Sequence, residues 1–299
     1  MVEDELVTEA GGDPRAGYES RASLELVELM NDADAEVAAA VRAAAPAIAR
    51  AVDEIAGRLS AGGRLLYVGA GSSGRIAALD ASECVATFST SRDAVVALVA
   101  GGEASDALAQ AAAEDDREAG TADLLALAPT AADAVVGISA SGATPYVAGA
   151  LESAAETGAF TACVVSTPAS LLASIAEHEI LVVVGPEFLA GSTRLKAGTA
   201  QKLVLNTLST VSMIRLGKTY GNLMVDVAAA NEKLEGRVRR IVATATGASA
   251  ADVDDALAES GGDTRVAIVS LLGQVDAETA RQRLDAAGRS IAAALEDDV

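Results

Sequence analysis

Short apolar segments alternate with longer segments of helical periodicity through the first two thirds of the chain. The apolar segments are bounded by glycine or polar residues and predict strands at 64–69, 94–100, 134–139, 160–166 and 180–185. The segments between them predict helices at 73–83, 104–118, 144–157 and 169–177. Because strands that alternate with helices form parallel crossover units, the pattern predicts an α/β fold with a parallel sheet flanked by helices.

The two ends of the chain depart from this alternation. Residues 1–20 are polar and predict an extended arm, which two helices at 22–31 and 35–59 follow. From 193 to 231 the pattern is mostly helical, and the remainder predicts short helices separated by Gly247, Gly261-Gly262 and Asp276. We therefore predict an N-terminal arm with helices over 1–60, a sheet domain over 61–231 and a small helical C-terminal unit over 232–299.

Composition narrows the choice of partners. Aromatic residues make up 2% of the 299 residues, so small aliphatic side chains fill the core. A formal net charge of −21 argues against nucleic acid and anionic membranes as partners. The acidic residues are spread along the chain, as on a protein adapted to high salt. With no signal peptide and no 18-residue apolar run, the protein is expected to be cytoplasmic.

The cysteine and histidine residues do not have the spacing of metal ligands or of a disulfide framework. Cys84 and Cys163 belong to no C-x-x-C pair, so neither a disulfide framework nor a zinc site is predicted. His178 is the only histidine and stands in a polar run before an apolar strand. We expect all three residues to be structural.

The segment 62–83, GGRLLYVGAGSSGRIAALDASE, predicts a buried strand, a glycine turn and a helix. Gly71, Ser72 and Ser73 fall where the helix begins, and helix N–H groups with serine hydroxyls form a cradle for phosphate. Glu83 falls at the far end of that helix or just beyond it and is a candidate acid or base.

The same letters satisfy G-x-G-x-x-G, the dinucleotide fingerprint, so a second interpretation stays open. That fingerprint expects an acidic residue about 20 residues on, at the end of the next strand. The next apolar run is followed by Gly101-Gly102-Glu103, which is too far along the chain to fit well. Because a serine pair suits a phosphate monoester, a sugar phosphate is favoured over a nicotinamide cofactor.

A second unit at 135–151, VVGISASGATPYVAGAL, has the same order of strand, hydroxyl-rich turn and helix as the segment 62–83. Ser139, Ser141 and Thr144 again lie between a strand end and a helix start. A single such turn is often an ordinary helix cap. Two of them at the carboxyl ends of parallel strands are expected to meet at one crevice.

Two further parts of the chain contain candidate site residues, but their sequence patterns are less specific. The segment 185–210 places several polar and charged residues close together in a chain with few basic residues, which predicts anion binding, with a helix cap and surface ions as the alternative. They are Glu187, Ser192, Thr193, Arg194, Lys196 and Lys202. Glu114, in AEDDREAG, is on its own one acidic residue among 43.

Long motifs of this chain resemble the N-acetylmuramic acid 6-phosphate etherase family of the sugar isomerase (SIS) superfamily. They are GAGSSGRIAALDASEC, AEDDREAG, SASGATPYVAGAL, GPEFLAGSTRLKAGTAQKLVLN and GKTYGNLMVDVAAANEKL. The resemblance begins at Thr8-Glu9 and extends nearly to the C-terminus.

The resemblance implies a SIS-type sheet, a helical C-terminal unit and a homodimer with sites at the subunit interface. It implies cleavage of the D-lactyl ether of N-acetylmuramate 6-phosphate, without metal or organic cofactor, to N-acetylglucosamine 6-phosphate and D-lactate. By the same resemblance Glu83 is the acid that assists lactate departure and Glu114 is the base at C2 of the sugar.

The chain departs from the family pattern at two places. Val85-Ala86 follow Cys84 where the family has a proline pair, and Ala143 stands where the family has arginine. The second change removes a cation from the second hydroxyl turn. Two other functions stay open: a phosphosugar sensor like the related glucokinase regulator, and an aldose-ketose phosphate isomerase. Lactate release distinguishes the etherase from both.

Overall fold

The computed structural model describes residues 17–102, 112–226 and 232–296. Most of the predicted arm at 1–20 and part of the predicted helix at 104–118 therefore lie outside the described residues. The chain divides into two compact units. The first extends to Ser82 and resumes from Arg92 to Ser209, and the second combines Glu83–Ser91 with the chain from Thr210 onward.

The first unit begins with two helices, whose boundary differs from the prediction. Helix α1 is Ser23–Ala43 and α2 is Ala45–Ser60, so the break predicted at 32–34 is wrong. Pro46 causes the observed break, because proline is compatible only with the first turn of a helix. The acidic residues at 32–34 remain inside α1, where none of them is buried.

Five parallel strands form the sheet in the order β2-β1-β3-β4-β5. The strands are β1 Leu65–Gly69, β2 Val95–Val99, β3 Ala134–Ile138, β4 Phe160–Val165 and β5 His178–Leu181. This confirms the predicted α/β fold and all five strands. The last strand differs in bounds, because its pairing with β4 ends where Leu181 meets Val165, so Val182 and Val184 are buried without belonging to a strand.

Four helices lie between successive strands in sequence: α3 Gly71–Phe88, α4 Arg117–Ala126, α5 Pro145–Glu156 and α6 Leu171–Ile175. Helix α7, Lys196–Arg215, follows β5 and begins in the first unit. Helix α3 continues past Ser82 into the second unit and is longer than predicted. The prediction of one helix through 104–118 is wrong at its end, because Asp116 accepts a hydrogen bond from the Ala119 N–H and begins a new helix.

A buried carboxylate fixes the middle of α3. Asp80 is 4% exposed and accepts hydrogen bonds from the Tyr67 hydroxyl (3.0 Å), the Asn206 amide (2.6 Å) and the Ser209 hydroxyl (3.1 Å). These donors belong to β1 and α7, so Asp80 joins three elements of the first unit through buried, directional contacts.

The second unit is helical, as predicted for this part of the chain. Its helices are α8 Glu232–Thr246, α9 Ala250–Glu259, α10 Thr264–Gly273, α11 Ala277–Ala286 and α12 Ile291–Leu295. The predicted breaks are confirmed: Gly247, Gly261 and Gly262 adopt positive φ, and Asp276 caps α11. Aliphatic side chains such as Val242, Val266 and Ile268 form its core. None of the helices in the described ranges of the chain is both long and apolar enough for a transmembrane span.

Asp133, just before β3, is a buried carboxylate whose ion pair with the half-buried Arg64 makes the free energy of unfolding depend on pH in acid. Its carboxylate accepts hydrogen bonds from the Arg64 side chain and backbone and from the Thr130 N–H. Burial raises the pKa of Asp133, but the hydrogen bonds from Arg64 and Thr130 outweigh it, so the pKa lies below its ordinary value. The stabilisation is therefore present above the unfolded pKa of about 3.9 and is lost as pH falls through the lower folded value.

We expect Asp133→Asn to lower the free energy of unfolding by about 2 kcal/mol at neutral pH, because Arg64 loses its partner. Urea unfolding at neutral pH and below about pH 4 measures this, and the gap from the wild type should shrink in acid. Asp254→Asn is the matched control, since the Arg239–Asp254 pair is exposed. An equal loss at both pH values would contradict the assignment.

Candidate active site

A cavity of about 230 Å³ lies at the carboxyl ends of β1 and β3. Since β1 pairs with β2 on one side and β3 on the other, this is the point where the strand order reverses, the usual ligand position in such sheets. The residues lining the cavity come from three turns and from Glu114. They are Ala70, Gly71, Ser72, Ser73, Glu114, Ile138, Ser139, Ala140, Ser141, Thr144, Gly191 and Thr193.

The first wall is the turn between β1 and α3. A Cβ on Gly74 would lie 2.6 Å from the carbonyl oxygen of Gly69, so this turn closes tightly only because both residues are glycine. The turn presents Ser72 and Ser73 to the cavity. Just behind them, the guanidinium Nη2 of Arg75 donates to the Ser72 Oγ at 3.2 Å. This wall combines a helix N-terminus, hydroxyls and a neighbouring cation.

The second wall is a network of hydroxyls before α5. Ser139 Oγ lies 2.8 Å from Thr144 Oγ1 and 3.3 Å from Ser141 Oγ. The backbone N–H of Gly142 donates to Ser139 Oγ at 3.0 Å, and that of Ala143 donates to Ser141 Oγ at 3.2 Å. Both serines already accept hydrogen bonds from the backbone, and Thr144 donates to Glu114, so Ser139 donates to Thr144 in the 2.8 Å contact. The Ser141 proton remains for donation to a ligand, which suits an anion.

A glycine determines the shape of this second turn. Gly142 has φ +67°, and a Cβ there would lie 2.4 Å from the Ser170 side chain. Both the backbone conformation and the close approach exclude other residues. The three hydroxyls are therefore held at the start of α5, where the helix dipole also favours negative charge.

Glu114 brings a carboxylate into the cavity. It is the last helical residue before the turn at Asp115, it is half-buried, and its Oε1 accepts a hydrogen bond from Thr144 Oγ1 at 3.4 Å. Nothing in the sequence around Glu114 distinguished it from other acidic residues except the family motif. The structure places it beside the hydroxyl network.

Glu83 is not one of the residues that line the cavity. It is exposed on α3, twelve residues after Gly71. At about 1.5 Å per residue, this spacing corresponds to about 18 Å along the helix axis. Within one chain, α3 therefore carries Glu83 away from the two serines at its start.

The segment 185–210 contributes one of its predicted residues, Thr193, to the cavity. Gly191 and Thr193 line the cavity, whereas Glu187, Ser192 and Lys196 do not. Ser192 belongs to a turn, with its N–H donating to the Leu189 carbonyl. Thr193 belongs to the predicted cluster of this segment, whereas Gly191 does not.

Glu187 and Lys196 are buried, and their hydrogen-bond partners explain where they lie. Glu187 accepts hydrogen bonds from the backbone N–H groups of Lys196 (2.8 Å) and Ala197 (3.0 Å), and so caps α7. The Lys196 ammonium, 3% exposed as a residue, donates to the Glu36 carboxylate at 3.2 Å and to the Pro186 carbonyl at 3.3 Å. These contacts correspond to the helix-cap alternative for this segment.

The cysteines and the histidine have structural surroundings. Cys84 and Cys163 are buried thiols that are not joined in a disulfide, and burial raises the pKa of Cys163 to about 12. His178 Nε2 lies 2.7 Å from the Ala47 carbonyl, which joins β5 to α2. Within the described ranges, no three His, Cys, Asp or Glu side chains are grouped as metal ligands.

The fold and the cavity at its switch point define an α/β protein of the SIS class. The profile of the glucokinase regulatory protein N-terminal SIS domain matches residues 47–155. A solved phosphoheptose isomerase from Francisella tularensis shares the fold, with a TM-score of 0.50 and 21% identity over 65% of this chain and 100% of that chain.

Relatives that match nearly the whole length of the chain show its family within the SIS class. The chain is 53% identical to the N-acetylmuramic acid 6-phosphate etherase of Streptomyces avermitilis over 97% of its length and 93% of the relative. It is also 53% identical to the enzyme of the same name from Rubrobacter xylanophilus, over 97% and 96%. The chain belongs to the N-acetylmuramic acid 6-phosphate etherase family, which confirms the resemblance found in its motifs.

Proposed function

We propose that the protein is a carbon-oxygen lyase that cleaves the D-lactyl ether of N-acetylmuramate 6-phosphate. The observation that carries this proposal is full-length identity of 53% to proteins named as that etherase. The cavity supports it with a hydroxyl network for a phosphate and a carboxylate beside it. The products would be N-acetylglucosamine 6-phosphate and D-lactate.

The reaction requires an elimination followed by a hydration. In the open-chain sugar, the C1 aldehyde acidifies the proton on C2. Glu114 would take that proton, the C3–O ether bond would break, and a C2–C3 double bond would form as lactate leaves with a proton from an acid. Water then adds its hydroxyl to C3 while C2 regains a proton.

The acid at the ether oxygen is assigned to Glu83 of a second copy of the chain. Glu83 lies about 18 Å along α3 from the start of its own helix and does not line the cavity of its own subunit. A homodimer that brings α3 of one protomer to the cavity of its partner would supply it. In this arrangement each site is complete only in the dimer.

The hydroxyl network is the proposed phosphate site. Ser139, Ser141 and Thr144 place three hydroxyl groups at the start of α5. Because Thr144 donates to Glu114 and Ser139 donates to Thr144, the Ser141 hydroxyl and the N–H groups at the helix start would donate to the phosphate. Ser72 and Ser73 face the rest of the substrate from the other wall.

The net charge supports a preference for high salt, and the nature of the substrate supports a location in the cytoplasm. A formal net charge of −21 on 299 residues favours a protein that works best at high salt, where its self-repulsion is screened. The sugar phosphate substrate belongs to the cytoplasm, which is where we place the protein.

The experiment is an assay of D-lactate release from N-acetylmuramate 6-phosphate, at about 0.1 M and about 2 M salt. We expect release by the wild-type protein, with the higher rate at high salt. Phosphosugar binding without lactate would favour the sensor, for which the match to the glucokinase regulatory domain is the specific observation. Interconversion of aldose and ketose phosphates would favour an isomerase.

A further inference from the structure

We propose that Lys218 is a positioning residue for Glu83, because it holds the end of the helix that carries this glutamate. The inference rests on the proposed function, in which Glu83 supplies the acid for lactate departure. It assigns a part in the reaction to the motif GKTYGNLMVDVAAANEKL, of which no described residue lines the cavity. The helical second unit then contributes to catalysis by holding the acid in place.

Glu83 belongs to the second unit, although the first turns of its helix belong to the first unit. The segment Glu83–Ser91 groups with the chain from Thr210 onward. Glu83 is exposed and precedes Phe88, the last residue of α3, by about 7.5 Å along the helix axis. Because a helix is rigid over so short a distance, the contacts at its end determine where the Glu83 carboxylate lies.

A lysine and an aspartate tie the end of α3 to the rest of the second unit. Lys218 Nζ donates to the Phe88 carbonyl at 3.1 Å and to Asp226 Oδ2 at 2.6 Å. The Ser89 hydroxyl donates to the backbone carbonyl of Asp226. The last carbonyls of a helix have no partner within the helix, and a cation there also suits the helix dipole. Lys218 therefore stabilises the end of α3 through both a hydrogen bond and its charge.

The pair of Lys218 and Asp226 is itself fixed by a buried arginine of the second unit. Arg265, 3% exposed on α10, places its Nη2 2.6 Å from Asp226 Oδ2. Its Nη1 donates to the Arg289 carbonyl at 2.6 Å. Asp226 therefore binds two cations, one on α10 and one that also contacts the end of α3. These contacts connect the core of the second unit to the helix end that follows Glu83.

A displaced helix end is expected to slow one step of the reaction and not the other. Proton transfer to the ether oxygen depends on the position of Glu83, and a misplacement of about 1 Å costs about 100-fold in rate. Removal of the C2 proton depends on Glu114, which belongs to the first unit and contacts the hydroxyl network there. Loss of the Lys218 contact should therefore slow lactate departure and spare C2 proton removal.

The test is Lys218→Met, assayed for D-lactate release and, by proton NMR in deuterated water, for C2 exchange in the remaining substrate. We expect kcat for lactate release to fall by about 10- to 100-fold, with a KM within about twofold of the wild type. C2 exchange should stay at or above the wild-type rate. Lys218→Arg should recover part of kcat, since it keeps a cation near the Phe88 carbonyl. Arg239→Met, which removes an exposed ion pair from the same unit, is the control and should keep wild-type kcat.

A double-mutant measurement separates positioning of the acid from a general loss of stability. If Lys218 acts through Glu83, Lys218→Met should lower the residual kcat of Glu83→Gln by less than about twofold. Ser89→Ala removes the second contact with Asp226 and leaves every charge in place. It should give a smaller loss of the same kind, and it replaces Lys218→Met if that variant does not fold.

Several results would overturn the proposal: wild-type kcat in folded Lys218→Met, a rise in KM alone, an equal loss of C2 exchange and lactate release, or a full further loss in the double mutant. Failure of the proposed function is a different result, because the wild type itself would then release no lactate. Wild-type kcat in Glu83→Gln would remove Glu83 as the acid, and the positioning role with it, while leaving the etherase reaction intact.

Discussion

Glu114→Gln is expected to lower kcat for D-lactate release by about 10²- to 10⁴-fold, the usual contribution of a general base. The carboxylate would abstract the C2 proton, and an amide cannot. Glutamine has the size and shape of glutamate, and its amide oxygen still accepts the hydrogen bond that Thr144 donates to Glu114 at 3.4 Å. The KM should therefore change little. The substrate should also lose exchange of its C2 proton in deuterated water, followed by proton NMR.

The matched control is Glu118→Gln, the same change four residues later on an exposed position of α4. It should retain wild-type kcat. Full C2 exchange in Glu114→Gln would assign the base to another residue. A large rise in KM with unchanged kcat would make Glu114 a binding group.

Mixing two inactive variants is expected to restore activity if Glu83 acts in the site of the partner subunit. Glu83→Gln and Glu114→Gln should each release almost no lactate alone. In a mixed dimer, one site combines the intact Glu114 of one protomer with the intact Glu83 of its partner. Random exchange of equal amounts therefore gives about a quarter of wild-type activity.

Formation of the mixed dimer is measured independently, by co-purification of differently tagged protomers. If mixed dimers form and activity stays at the level of the separate variants, Glu83 does not act across the interface. If sedimentation shows monomers that release lactate at the full rate, the dimeric site itself is wrong. Each variant carried alone through the same exchange step is the control.

Local patterns predicted most of the fold. The strands were readable because each is a short apolar run between glycine or polar residues, as in LLYV before Gly69. The predicted helix boundaries were wrong where a single residue, rather than the surrounding pattern, determines the end of the helix. Pro46 ended α1 later than the acidic run suggested, and Asp116 began a helix inside a stretch of helical composition.

The candidate site was predictable to the extent that topology brings strand ends together. The convergence of the turns after β1 and β3 follows from parallel pairing, and both turns line the cavity. Periodicity could not show that Glu187 would turn its carboxylate to the N–H groups of α7, because that contact depends on a loop. The ion pair between Lys196 and Glu36 joins residues distant in sequence and has no local signal. The roles of Glu83 and Glu114 stay predictions.

The buried Asp80 carboxylate makes α3 intolerant of insertions between Gly74 and Asp80. One extra residue between Gly74 and Leu79 would turn the following helix by about 100° relative to β1. Leu79, 58% exposed in the native helix, would then occupy the position of Asp80, facing three polar donors with no acceptor. Evolution can therefore lengthen the loops of this chain far more easily than it can insert a residue into the part of α3 before Asp80.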